Sequence, residues 1–209
     1  MQEHFLLRGN SYIIQKALPN SHIFFKSAVK HDQNYGRAKN GMFVAVPSSL
    51  KEKFTDVSPS HWRVQAVKFD STLIISVYLP TDPGTIDYND QELSETLGVI
   101  LNVLESNQSP QVILTGDFNS DFNRNTGHVN DVKTFVENAA LNLSWSRFHV
   151  DFTHVTVRND ITYTHTLDHF FWGEDTANDI IDAGVIHHVD NDSGHCRIYC
   201  CFQNPDACH

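Results

Sequence analysis

Basic clusters are what this chain most lacks. Its 15 Lys and Arg are scattered, 25 Asp and Glu outnumber them, and the formal charge is −10. This balance excludes the broad positive face of a tight, non-specific nucleic-acid binder, so any contact with a phosphate polymer has to be local. The 13 His lift the charge only at mildly acidic pH. No apolar run reaches membrane-spanning length, which excludes a spanning helix, and neither a leader peptide nor a membrane partner is expected. Cysteine is scarce: all four, at positions 196, 200, 201 and 208, fall near the C-terminal end. A disulfide framework for the body is therefore excluded, and the expected setting is reducing and intracellular, the nucleus being one such compartment. Cys200, Cys201, Cys208 and His209 have the composition of half a zinc site, but their spacing matches no knuckle pattern, and a frayed tail is the plainer expectation.

What remains is ordinary globular material. The 209 residues are 40% hydrophobic, enough for one domain with a sizeable core. No repeat, low-complexity tract or linker divides them, so one domain over 1–201 is expected, followed by a Cys-containing tail at 202–209.

Hydrophobic periodicity supplies the elements. A short helix is expected over Ser11 to Ala17, stopped by Pro19, and a strand over Met42 to Val46. WRVQAVKF, Trp62 to Phe69, alternates with period two, and STLIISVYL, Ser71 to Leu79, follows across Asp70-Ser71 as the return strand of a hairpin. The best helix runs from Asp90 to Glu105. Leu93, Leu97, Ile100, Leu101 and Leu104 form its apolar face, and Asp90 suits the positive end of the helix dipole. A loop to Asn130 and a second helix over Val132 to Ala140 come later. Helices interleaved with paired strands suggest a layered α/β fold.

The chemistry concentrates in QVILTGDFNSDF, Gln111 to Phe122. Val112 to Leu114 read as a buried strand ending at Thr115-Gly116, where glycine allows a close turn. Asp117 and Asn119 lie just beyond, and on an extended backbone they share a side. A carboxylate beside an amide holds and orients a water or hydrated metal ion, the carboxylate taking the proton. The bland alternative is an Asx turn. A second carboxylate, Asp168 in TLDHFF, alternates with Leu167 and His169, so it shares a face with Phe170; buried there, it needs a partner.

G-D-F-N at Gly116 to Asn119 resembles the endonuclease/exonuclease/phosphatase superfamily, with its DNase I-like fold, and other motifs of that family follow its order. Gln2-Glu3-His4 resembles the Q-E motif in the form found in the apurinic/apyrimidinic-type endonuclease domains of non-LTR retrotransposons. Gly36-Arg37 and Gly41 resemble its glycine-rich approach to a strand, Tyr78-Leu79-Pro80 its Y-x-P element, and Phe152-Thr153-His154 its F-T-Y strand. Thr166 to Phe171 resembles S-x-I-D-Y/H-F-F, and Ser193-Gly194-His195 resembles the closing S-D-H, with Gly194 where the family has Asp. Asp192 lies two positions upstream of that glycine.

This resemblance implies an α/β fold of the DNase I-like kind, a two-layer β-sandwich of mixed sheets flanked by helices. The family's first strand is expected to be missing, because the Q-E motif opens the chain. It implies metal-dependent phosphodiester hydrolysis, the endonucleolytic nicking of DNA. Glu3 would be the ligand of Mg²⁺, or of Mn²⁺ in its place; Asp117 would activate water; Asn119 and Tyr78 would position the phosphate; His195, oriented by Asp168, would stabilise the pentavalent centre. Arg37 would touch phosphate. DNA is the implied substrate, and a reverse transcriptase domain the implied companion in a longer relative. Two other readings stand beside this one: a phosphatase or phosphodiesterase of the same superfamily acting on a phospholipid or inositol phosphate, which the acidic charge favours, and a catalytically impaired remnant that only binds.

Overall fold

The computed structural model describes residues 6, 8–28, 41–85, 90–188 and 193–203. Glu3, Arg37, Asp192, Cys208 and His209 lie outside them.

A six-stranded mixed sheet forms the centre, in the order β3 (Phe54–Asp56), β4 (Val64–Phe69), β5 (Thr72–Tyr78), β6 (Gln111–Asp117), β10 (Asp168–Gly173) and β7 (Leu141–Leu143). The alternating segments pair as their pattern requires. In β4 and β5, Phe69 faces Thr72 across a two-residue turn whose Asp70 has φ +49°. The β5–β6 pair is parallel, made possible by the crossover through α2 (Gln91–Asn107).

Alternation gives the sheet two buried faces. Val64 and Ala66 of β4, Leu73, Ile75 and Val77 of β5, Leu114 of β6 and Phe171 of β10 form one core with α2 and α3 (Gly127–Asn138). The expected apolar stripe of α2 supplies Leu93 and Ile100, and the Asp90 carboxylate accepts a bond from the Leu93 amide, which caps the helix start. The second helix differs from expectation. It begins at Gly127 rather than Val132 because Thr126 caps it, its hydroxyl accepting from the Val129 amide, and it ends at Asn138, with Ala140 at φ +53°.

Three separate two-stranded ladders stand beside this sheet, β1 (Ser21–Lys26) with β2 (Met42–Pro47), β8 (His154–Arg158) with β9 (Ile161–His165), and β11 (Ile180–Ile186) with β12 (Arg197–Phe202), and β2 and β12 pack on β4 and β10. The layered α/β expectation therefore holds, with the second layer assembled from pieces. Polar anchors fasten them. Gln65 of β4 donates to the Phe24 carbonyl at 2.6 Å, and Lys26 donates to the carbonyls of Pro59, His61 and Val64. The last strand runs through Phe202, and Gln203 donates from its amide to the Asp179 carbonyl at 2.7 Å. The helix expected near the start is α1 (Tyr12–Ala17). Among the described residues no helix is long and apolar enough to cross a membrane.

Candidate active site

Strand register assembles the site. Tyr78 at the end of β5 is the partner of Asp117 at the end of β6, and Asp117 is the partner of Asp168 at the start of β10. Three residues from distant parts of the chain thus stand side by side on one edge, on the face away from the helices. Gly116, at φ +140°, is the residue where β6 departs from ordinary strand geometry just before Asp117.

Two carboxylates placed opposite each other repel. His195 stands between them: its ring Nδ1–H donates to Asp168 Oδ2 at 2.9 Å, and Nε2 lies 3.8 Å from Asp117 Oδ2. A carboxylate only accepts, so Asp168 fixes the proton on Nδ1 and leaves Nε2 turned toward Asp117. Both aspartates are largely withdrawn from solvent, whereas the imidazole is about one-third exposed. Ligand atoms of Asp117, Asp168 and His195 all fall within 4.8 Å of one another.

Asn119 is near this group but not as an extended backbone would place it. The chain turns at Asn119, which has φ +48°, and its amide N–H donates to Asp117 Oδ1 at 2.8 Å. The Asx turn and the candidate site are therefore the same structure: one oxygen of Asp117 holds the turn while the other faces His195. The Asn119 side chain donates to the Leu79 carbonyl at 2.8 Å, which ties the turn to the residue after Tyr78. On the other side of Tyr78, the Arg63 guanidinium donates to the Tyr78 carbonyl and to Glu92, and lies 3.9 Å from the Trp62 ring centroid.

Several contributors have roles that the sequence did not state, although Thr153 and His154 lie in the F-T-Y-like strand. Thr153, fully buried, accepts on its hydroxyl from the amides of Leu167 and Asp168, both at 2.9 Å, and its carbonyl accepts from the Cys196 amide. One threonine thus locks the segment bearing Asp168 to the segment bearing His195. His154 forms a bridge with His195, with ring centroids 4.6 Å apart. Burial, then the neighbouring His195 and His165, push its pKa down. His165 lies across the ladder from His154 and reaches Asp121, Nδ1 to Oδ2 3.4 Å. Nothing marks His165 among 13 histidines, or gives His154 a role beyond its F-T-Y-like strand, until β8 and β9 pair.

The same close approach explains Gly194. Its carbonyl accepts from the Val155 amide at 2.8 Å, and a Cβ at that position would sit 3.0 Å from the Val155 carbonyl oxygen and 3.1 Å from His154 Nε2. A side chain there would press on both, and one of them would have to give by a few tenths of an ångström.

His169, next to Asp168, points the other way. Its Nε2–H donates to the Ser120 carbonyl at 2.7 Å, and its ring stacks on Phe122. Burial pushes its pKa down to about 4, so it is a neutral core group.

No protein-family model matches the chain, and no curated protein matches it by sequence. Solved structures do. An AP endonuclease from Archaeoglobus fulgidus superposes with a TM-score of 0.72 at 13% identity, over 98% of this chain and 88% of that one. A 3′ phosphatase from Neisseria, bound to a product DNA hairpin, gives 0.71 at 15% identity, over 96% and 86%. The chain has the DNase I-like fold. The endonuclease domain of TRAS1, a telomere-specific non-LTR retrotransposon, shares that fold with a TM-score of 0.64 at 15% identity, over 96% of this chain and 94% of that domain. Within the DNase I-like fold, the resemblance read from the motifs and the likeness read from the coordinates coincide.

Proposed function

We propose that this chain hydrolyses phosphodiester bonds with the help of a divalent cation, and that it nicks DNA. The observation that carries the reading is the Asp168–His195–Asp117 array: a tautomer-fixed imidazole between two carboxylates, beside a strand-end tyrosine. The fold neighbours support it, being a DNA phosphatase and two endonucleases by name.

The donor set suits a hard cation such as Mg²⁺ or Mn²⁺, since Asp117 and Asp168 offer carboxylate oxygens within one coordination sphere. Glu3 is proposed as a further ligand on its motif. When bound, the ion neutralises charge developing on the phosphate and makes water more acidic. The residues do the rest. Asp117, through the oxygen not committed to the Asx turn, accepts the proton of the attacking water. Tyr78 and Asn119 hold the phosphate in line. His195, kept upright by Asp168, would present Nε2 to the phosphoryl oxygens and, carrying its second proton as imidazolium, stabilise the five-coordinate centre as its charge grows.

Beyond this centre, the face of the β8–β9 ladder that bears His154 and His165 continues outward through Thr156 with Tyr163 and Arg158 with Ile161. Tyr163 and Ile161 are exposed, which supports a track for a long substrate rather than a cup for a small one. The net charge of −10 favours the second reading, a phosphatase acting on a small ester, because such a substrate needs no basic surface. Rates on plasmid DNA and on soluble phosphomonoesters, measured with the same preparation in Mg²⁺, separate the two. Faster turnover of the monoester overturns the nuclease assignment.

A further inference from the structure

Cys196 follows His195 directly, and alternation that takes the His195 ring to Asp168 takes the Cys196 side chain to the other side of the backbone. There its Sγ lies 3.3 Å from Nδ1 of His187. The opposite nitrogen of that ring, Nε2–H, donates to Asp151 Oδ1 at 2.9 Å. Asp151 is in turn held by the Phe152 amide at 2.8 Å, and the Phe152 ring lies against the imidazole, centroids 4.5 Å apart. Three chain segments meet here: the loop before β8, the residue just past β11, and the approach to β12.

The tautomer follows from the partners. Asp151 accepts only, so the ring proton is on Nε2 and the Nδ1 lone pair is aimed at the sulfur. In the free protein that lone pair accepts a hydrogen bond from the thiol. A carboxylate behind a histidine whose other nitrogen faces a sulfur is also the arrangement that supports a metal-bound imidazole. Zinc sits at about 2.3 Å from sulfur and about 2.0 Å from nitrogen, so two such ligands on one tetrahedral ion lie roughly 3.3 to 3.6 Å apart. The Sγ to Nδ1 separation of 3.3 Å already meets that requirement.

We propose that Cys196 and His187, with Asp151 as the outer carboxylate, bind a thiophilic divalent cation of the Zn²⁺ or Cd²⁺ class at a site separate from the Asp117, Asp168, His195 group. Binding replaces the thiol proton, which is released to solvent, with a sulfur–metal bond, and Nδ1 donates its lone pair as the second protein ligand. Water completes the coordination. Because Cys196 and His195 are consecutive, occupancy is expected to slow hydrolysis next door, a consequence that rests on the function proposed above; the binding site does not.

The test is a Cd²⁺ titration of the full chain with Mg²⁺ in excess, followed by the ultraviolet thiolate-to-cadmium absorption, to which carboxylate sites are silent. One equivalent should develop the band. Cys196→Ser should abolish it, while Cys200→Ser and Cys201→Ser leave it intact. His187→Ala and Asp151→Asn should each weaken binding by about 10-fold or more. A band that survives Cys196→Ser, an affinity indifferent to His187→Ala, or no band at all overturns the proposal. Circular dichroism of the metal-free variants checks folding, and His187→Ala, at an exposed position, carries the test if Cys196→Ser does not fold.

Discussion

A carboxylate that fixes a tautomer can be tested without disturbing its surroundings. Asp168→Asn preserves size and leaves the Thr153 bond to the residue 168 amide in place, but removes the charge that holds the His195 proton on Nδ1. The expected result is a loss of roughly 10² to 10⁴ in kcat with KM little changed; a variant as active as the parent would mean that the pair is only structural. His169 makes a different statement, about stability. Its folded pKa of about 4 lies below the ordinary value of 6.5. Between those values the unfolded chain binds a proton that the folded chain refuses, so the stability His169 contributes is complete above the unfolded pKa and lost as pH falls toward 4. The loss amounts to roughly 3 kcal/mol. His154 and His61, also pushed down by burial, act in the same direction. Urea unfolding at pH 7, 6, 5 and 4.5 should show this slope, and His169→Asn should flatten it; parallel slopes would contradict the assignment. Asp117, Asp168 and His195 were legible in the sequence because each sits in a motif whose local pattern states a role. His165 and His187 were not, and Thr153 and His154 were marked only as part of an F-T-Y-like strand with no role, because each works through a neighbour that only the folded chain supplies. For Asn119 the two readings weighed in the sequence, an Asx turn and a member of the functional cluster, describe the same local geometry.

Elements with a strong period were equally legible. The β4–β5 hairpin and the bounds of α2 match the sequence expectation closely, since alternation and a one-sided apolar stripe are local properties, but of the expected α2 face Leu101 is exposed while Thr96 and Val103 are buried in its stead. The start of α3 was hidden because Gly127 and His128 have no helical pattern of their own, and the helix there depends on the Thr126 cap. The division of the second layer into three ladders was hidden too, because no strand pattern says which neighbour it will lack. Gly194 is an element-scale fact of the same kind. In the motif it reads as a lost carboxylate; in the fold it is the place where β8 and the segment before β12 come so close that a Cβ would press on the Val155 carbonyl and the His154 ring. Restoring the motif should therefore harm the protein. Gly194→Asp is expected to lower Tm by several degrees and to reduce activity, and Gly194→Asp combined with His154→Ala should recover part of both. Full activity in the single variant would show that the space is there after all.

On the scale of the whole molecule, an acidic chain with two aspartates abutting on one sheet edge carries an electrostatic conflict that the proposed divalent cation would ease. An ion that binds only the folded state must stabilise it, by about 2.7 kcal/mol at 100 times its Kd. For a domain of this size that is roughly 5 to 10 °C in Tm. Mg²⁺ or Mn²⁺ should give such a rise in the parent and a smaller one in Asp117→Ala; equal rises would place the ion elsewhere. The fold as a whole was accessible through the order of motifs along the chain, while the composition by itself reached only a globular α/β domain. The most direct test of the central claim is the nicking of supercoiled plasmid by the purified chain, with and without Mg²⁺, beside Asp117→Ala and His195→Ala. Nicking that needs the ion and disappears in both variants is the predicted result. Folded protein that leaves the plasmid intact, or nicking that either variant retains, would contradict the proposed active site.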